Sequence, residues 1–289
     1  MRCRSGLATP HRRRAGIEYR LMCTVTIVPF ENGFRLCCNR DERRERPAAT
    51  SPTVQTVEGR RAIYPVDPIS QGTWVAVNDV GLTLALLNRT TGAINSINSI
   101  NSTVPLAEWP RLSRGGIIPT LLTSASADEA LARCEKLDAA RFDQFRVLIV
   151  QNMTAIVVTS DGRTLTHEAV SLDRPVMWTS SSLGDAVVEG PRTELFERLF
   201  AQDRRGWLRA QRRFHDHQWR ERPEISVMME RGDARTMSQT AIDVRLLRLP
   251  VVTLKYRAIV ESAVRRPLTT GAFREKSSDA RADNRKIRL

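Results

Sequence analysis

The stretch from Met22 to Glu42 constrains this chain more than any other. Met22-Cys23-Thr24-Val25-Thr26-Ile27-Val28-Pro29-Phe30 and Phe34-Arg35-Leu36-Cys37-Cys38-Asn39-Arg40-Asp41-Glu42 flank a polar turn, Glu31-Asn32-Gly33. Thr24 to Val28 and Phe34 to Cys38 are rich in β-branched, aromatic and small apolar residues, and Asn-Gly supplies the positive φ angles that a tight reversal needs. The stretch therefore reads as a β-hairpin. Antiparallel pairing sets Cys23, at the open end of the first strand, beside Asn39, Arg40 and Asp41 at the end of the second, which brings a thiol, a guanidinium and a carboxylate together.

That cluster has a chemical use if translation starts at Met22. Methionine is normally trimmed ahead of a residue as small as cysteine, and Cys23 then carries both a thiol and a free α-amine. An α-amine titrates near ~7.7–8.0, so a fraction is neutral at pH 7 and accepts the thiol proton directly or through a water. Arg40 favours the thiolate, and Asp41 holds the amine by a hydrogen bond. The competing reading is a half-buried cysteine that starts a strand beside an ion pair in the turn.

Met-Cys-Thr at a strand start, followed by Asn39-Arg40-Asp41-Glu42 and Gly72-Thr73-Trp74, resembles the Asn-Arg-Asp-Glu (NRDE) family, also called the transport and Golgi organisation protein 2 family. Leu84-Ala85-Leu86-Leu87-Asn88, Ser113-Arg114-Gly115, Val188-Glu189-Gly190-Pro191-Arg192 and Ala234-Arg235-Thr236 extend the resemblance over Met22 to Tyr256. It implies an α+β fold, the four-layer αββα sandwich of the N-terminal nucleophile (Ntn) hydrolases, related to choloylglycine hydrolases and penicillin V acylases. In those relatives the N-terminal cysteine attacks an amide carbonyl without an external cofactor. The implied ligand is a small-molecule amide or a lipid-like compound. A second reading keeps the fold without turnover, as a carrier handling lipid, acyl-coenzyme A or haem. Two departures stand out: Gln71 occupies a position where the motif usually has glycine, and Ser181 stands where choloylglycine-type relatives bind the substrate carbonyl with asparagine. The same relatives place an arginine facing the nucleophile near Arg192.

Other residues carry a second reading of their own. Asn88, just beyond a buried strand, is either an oxyanion donor or a strand-end asparagine bonding its own turn; a carboxamide suits the first role because it stabilises negative charge without offering a competing proton-transfer group. Gly190-Pro191 reads as the opening of a helix buried through Leu195, Phe196 and Leu199, with Arg192 in its first turn. A cation is electrostatically unfavourable there, so Arg192 either serves the site or is an exposed arginine. His215-Asp216-His217 lies in a polar, helix-like run from Gln211 to Arg222 with no third ligand in view, so the histidines read as solvated and no metal is expected.

The chain has 289 residues, 41% of them apolar, enough for one substantial core. No run approaches the ~18–20 apolar residues of a membrane helix. Cysteines at 3, 23, 37, 38 and 134 form neither a Cys-x-x-Cys pair nor a zinc spacing, and a reducing cytoplasm is the simplest setting. The +13 net charge sits mainly in the tails: residues 1–21 and residues 265–289 each carry +5, leaving +3 between them. With no recognition motif beside the charge, a nucleic-acid role is not expected. Oligomeric state leaves no signal in the sequence.

Residues 1–21 read as a basic extension, either an upstream start or a propeptide; residues 22–264 as the single NRDE, Ntn-hydrolase-like domain; and residues 265–289 as a disordered basic tail. Within the domain, Arg43 to Thr56 reads as a loop, and Trp74 to Asn78 with Leu82 to Leu87 as a second hairpin. The threefold Ile-Asn-Ser repeat at Ile94 to Ser102 reads as a loop insertion. Pro119 to Leu137 reads as a helix with capping-box residues Ser126 and Glu129 and a core-facing Cys134. Phe145 to Gln151, Thr154 to Thr159, Leu165 to Val170 and Pro175 to Ser180 are expected to build a second sheet. Ile225 to Met229, Ala241 to Leu249 and Pro250 to Tyr256 have strand character, with Ser238-Gln239-Thr240 as a connection.

Overall fold

The computed structural model describes residues 23–90, 111–259 and 284–289. The expectations for the N-terminal extension, the Ile-Asn-Ser repeat and most of the C-terminal tail lie outside these residues. In chain order the strands are β1 (Cys23–Phe30), β2 (Gly33–Arg43), β3 (Thr50–Val57), β4 (Arg60–Val66), β5 (Val75–Asn78), β6 (Thr83–Asn88), β7 (Phe145–Gln151), β8 (Thr154–Ser160), β9 (Leu165–Ser171), β10 (Val176–Thr179), β11 (Ala234–Arg245), β12 (Val251–Ala258) and β13 (Asn284–Arg288). The helices are α1 (Ile117–Leu121), α2 (Ala127–Cys134), α3 (Asp185–Phe200) and α4 (Trp207–His215). One sheet runs β10-β1-β2-β11-β12-β13 and the other β3-β4-β5-β6-β7-β8-β9, each antiparallel throughout.

Alternation along the strands builds the layers. Cys23, Val25 and Ile27 of β1 and Phe34, Leu36 and Cys38 of β2 face the second sheet and share a core with Val75, Val77, Ala85, Leu87 and Leu148. Val28 turns the other way, onto Leu195, Ala210 and Phe214 of α3 and α4. Across the molecule, Ile117, Leu121, Ala130 and Cys134 of α1 and α2 cover Leu84, Leu86, Val147 and Ile149. Each such large apolar side chain contributes about 1.5–3 kcal/mol by leaving water. The result is the αββα sandwich expected.

The opening hairpin forms as read, with Asn32 at φ +56°. Gly33 is required by close approach, since a Cβ there would sit 2.0 Å from the Val244 carbonyl oxygen of β11. Elsewhere the chain departs from the sequence reading. Arg43 to Thr56 is not all loop, because Thr50–Val57 pairs with β4 as the edge strand of the second sheet. Only Pro52 of that strand is buried, so it carries no core pattern. β10 joins β1 in the first sheet, not the second. Ser238-Gln239-Thr240 lies inside β11, whose register shifts between Thr236 and Ser238, and Ile225 to Met229 is not a strand of either sheet. The single helix expected over Pro119 to Leu137 is two, although Ser126 caps the second as read, accepting from Glu129 N at 3.1 Å. The tail is ordered at its end, where Asn284–Arg288 pairs with β12.

Candidate active site

The four signature residues sit inside β2 rather than in a turn, and the period of two sends them to opposite faces. Arg40 and Glu42 point between the sheets. The Arg40 guanidinium gives its Nη2 to Glu42 at 2.8 Å and to Asp67 at 2.6 Å, and its carbon lies 4.4 Å from the centre of the Trp74 ring. Arg46 adds a two-pronged contact to Asp67 at 2.8 and 2.9 Å. Burial alone would raise Asp67, but Arg46, the Ser70 backbone N–H and Arg40 together hold it below the ordinary carboxylate range. Glu42 is raised, because its burial outweighs Arg40.

Asn39 and Asp41 face the helices. Asn39 donates to the carbonyls of His215 and Val227, each at 2.9 Å, and its Oδ1 lies 2.9 Å from His215 Nδ1. His215 Nε2 lies 2.8 Å from Thr26 Oγ1. Burial, with Arg192 and Arg257 nearby, pushes the His215 pKa down to about 3, so the ring is neutral. Nδ1–H then donates to Asn39 and Nε2 accepts from Thr26. His215 is thus a buried structural histidine, contrary to its reading as solvated. Burial hid it because its neighbours in the run, Arg212, Arg213 and Asp216, are exposed. The described residues contain no metal-binding cluster.

Cys23 opens β1 directly opposite Arg40. Its nitrogen lies 3.2 Å from Ser180 Oγ, and its carbonyl accepts from Ser180 N at 3.0 Å. The side chain is 7% exposed, lies against the Cys38 thiol, and borders a cleft of about 500 Å³. Arg40, Asp41, Trp74, Leu86 and Asn88 border the same cleft, as does Gly72 to Thr73 with the Ser113 to Gly115 segment opposite. Gly72 lies so close to that segment that a Cβ would stand 2.4 Å from the Gly115 carbonyl, and Thr73 N donates to Gly115 O at 3.0 Å. Gln71, the departure from the motif, takes φ +54° without a glycine. Asn88 ends β6, and Asp185 fixes the chain just after it by accepting from Thr90 N at 3.2 Å while also accepting from Ser181 N at 2.8 Å. That carboxylate ties the end of β6 to the turn that follows β10.

Behind Cys23 lie two more buried ionisable groups, Arg192 and Asp41. Arg192 is fully buried in the middle of α3, since the helix starts at Asp185 and not at Gly190-Pro191. It donates to Thr24 Oγ1 at 2.8 Å, Thr179 Oγ1 at 2.5 Å, and the carbonyls of Ile225 and Ser226 at 3.0 and 2.6 Å. Burial brings its pKa down to about 10, against the pull of Asp41 and Cys23, so it stays charged at neutral pH. Asp41 accepts from Thr236 Oγ1 at 2.5 Å, and its second oxygen is buried without a hydrogen-bond partner among the described residues. Burial raises Asp41 to about 7, even though Arg192 and Thr236 favour the anion.

Cys23, Arg40, Asp41 and Asn88 are therefore gathered at one cleft, with Arg192 beneath it. Ser181 is used differently: its Oγ accepts from Leu183 N at 3.0 Å in the turn before α3, and the hydroxyl that touches Cys23 belongs to Ser180. Asp41 bonds Thr236 rather than the Cys23 nitrogen. The sequence reading assigned no role to Asp67, Thr179, Ser180 or Thr236. The only signal for Thr236 was its place in the stretch Ala234-Arg235-Thr236, and Asp67 passed as part of a proline turn.

The family model described as Transport and Golgi organisation 2 matches residues 22–214. No curated protein sequence matches the chain. Among solved structures, the fold is similar to that of the Caenorhabditis elegans N-acylethanolamine-hydrolyzing acid amidase ortholog, with a TM-score of 0.50 and 11% identity over 76% of this chain and 92% of that one. None of the helices among the described residues is long and apolar enough to cross a membrane.

Proposed function

The chain belongs to the Transport and Golgi organisation 2 family, and from that membership and the geometry around Cys23 we propose that it is an amidohydrolase of the N-terminal nucleophile type, acting on a non-peptide C–N bond. The observation that carries the reading is the place of Cys23. It starts an edge-proximal strand with its nitrogen on Ser180 Oγ and its side chain on a cleft shared with Asn88 and Arg40. The amidase activity in the name of the similar structure agrees with that chemistry.

Once residues 1–22 are absent, the Cys23 nitrogen is an α-amine, held by Ser180. It takes the thiol proton, and the thiolate attacks the amide carbonyl. The Asn88 carboxamide and a backbone N–H together donate to the oxyanion. Collapse of the tetrahedral intermediate breaks the C–N bond, the α-ammonium returns the proton to the leaving amine, and a water activated by the same amine hydrolyses the thioester. Arg40, anchored by Glu42 and Asp67, presents positive charge near the thiol. Asp41 acts at a distance through Arg192, which grips Thr24 and Thr179, the residues flanking the Cys23–Ser180 contact.

The test is protein expressed from Met22, its N-terminus verified by intact mass, screened against a panel of acyl amides with a released fluorophore. Turnover lost in Cys23→Ala, with the fold retained, supports the reading. A native protein that keeps residues 1–22 on Cys23 refutes the amine-base mechanism, because an amide nitrogen is no base near pH 7. Ligand binding unchanged in Cys23→Ala, with no turnover in the parent, assigns the fold to a carrier.

A further inference from the structure

Among the described residues, the helices cover only part of the first sheet. α4 lies over β1 and β2, whereas the outward residues of β11, β12 and β13 line two adjoining cavities that share Arg35, Lys255 and Lys286. The charge of this face is one-sided. Arg35 is paired with Asp243 and Arg257 with Asp216. Arg245, Lys286 and Arg288 have no carboxylate partner among the described residues, and Lys255 shares Asp243 at 3.8 Å.

The hairpin end joining β11 to β12 continues the same surface. Leu247 is 57% exposed, Leu249 79% and Val251 39%, and Arg248 stands between the two leucines. Large apolar side chains left in water at a loop tip forgo the gain of burial, and clustered exposure of this kind marks a contact site. Val251 borders the basic cavity itself, and Leu247 borders the next one, which shares Arg35, Asp243 and Arg245.

We propose that this hairpin end and the outer face of β11 to β13 dock the protein on an anionic membrane surface, the leucines entering the headgroup layer and the cations meeting lipid phosphates and carboxylates. Charge alone would suit any polyanion; the leucines projecting from the basic face select a surface with an apolar interior. The docking is peripheral, reversible and weakened by salt.

Vesicle flotation of the full chain tests this, using phosphatidylcholine alone or with about 30% phosphatidylserine. Binding is expected only to the anionic vesicles. Leu247→Ser with Leu249→Ser should weaken it at least tenfold, and Lys286→Gln with Arg288→Gln about fivefold per cation. All four positions are exposed, so each pair serves as a folding control for the other by thermal melt. Equal binding to neutral vesicles, no binding, or binding that survives the leucine substitutions overturns the proposal. So does a dimer in sedimentation that the leucine pair disperses, which gives the surface to a second copy. Binding to single-stranded DNA without binding to the anionic vesicles gives the face to nucleic acid and equally overturns it.

Discussion

Replacing Asp41 with asparagine tests the electrostatics beneath Cys23. Asp41 is buried, with one oxygen on Thr236 and the other without a hydrogen-bond partner among the described residues, and burial raises its pKa from 3.8 to about 7. A folded-state pKa above the unfolded value means that the native protein binds the extra proton between those two limits. Stability from this group is therefore complete below about pH 4, falls by about 1.36 kcal/mol for each pH unit up to 7, and is flat above it. The whole loss has a ceiling of about 4 kcal/mol. An asparagine keeps a carbonyl oxygen for Thr236 and never ionises, so Asp41→Asn should gain over the parent as pH rises, approaching that ceiling. His215 titrates with the opposite sign in an overlapping range, and taking the difference between variant and parent removes it. Urea unfolding followed by circular dichroism from about pH 4.5 to about pH 8 gives the numbers. A difference that stays constant with pH would show that Asp41 is ionised throughout and refute the account of its burial.

The His215 pKa is depressed, so its contribution is present above pH 6.5 and lost as pH falls towards about 3; His215→Gln should flatten that acid limb of the stability profile, and an unchanged limb contradicts the neutral assignment. Gly72→Ala should destabilise by about 1–3 kcal/mol, because its Cβ would meet the Gly115 carbonyl, while Gly190→Ala in α3, with nothing within 4 Å, should gain up to about 1 kcal/mol. Equal melting temperatures for these two variants would contradict the close approach at the cleft. Arg40→Met should slow alkylation of Cys23, and it should cost about 3–5 kcal/mol by leaving Glu42 and Asp67 to Arg46 alone. A folded variant with an unchanged alkylation profile removes Arg40 from thiol activation.

Where the physics is local, the sequence was readable. The Asn32-Gly33 reversal, the second hairpin and the Ser126 cap each depend on residues within a few positions of one another. β3 was missed because a strand at a sheet edge, with one buried residue, has no apolar alternation to betray it. β11 was cut in two because its inward residues include Ser238 and Thr240, which look like a connection until their neighbours are known. Arg192 was placed at a helix start because proline favours that position; here Pro191 sits inside α3, where it forfeits one backbone donor. The site residues that went unread, Ser180 and Thr236 foremost, gain their meaning from partners 157 and 195 positions away.

That separation sets an order of events during synthesis. β1 and β2 can pair as soon as the hairpin leaves the ribosome, yet both flanks of the pair remain open edges. The partner on one side, β10, arrives after Thr179, and the partner on the other, β11, only after Ala234. Contacts of such long range form late, so for most of translation Cys23 lies on an unfinished ribbon. Once Ser180 meets the Cys23 nitrogen and α3 lowers Arg192 onto Thr24, that edge is closed. The interval during which the Cys23 strand stays open is thus set by the distance along the chain to its own lock.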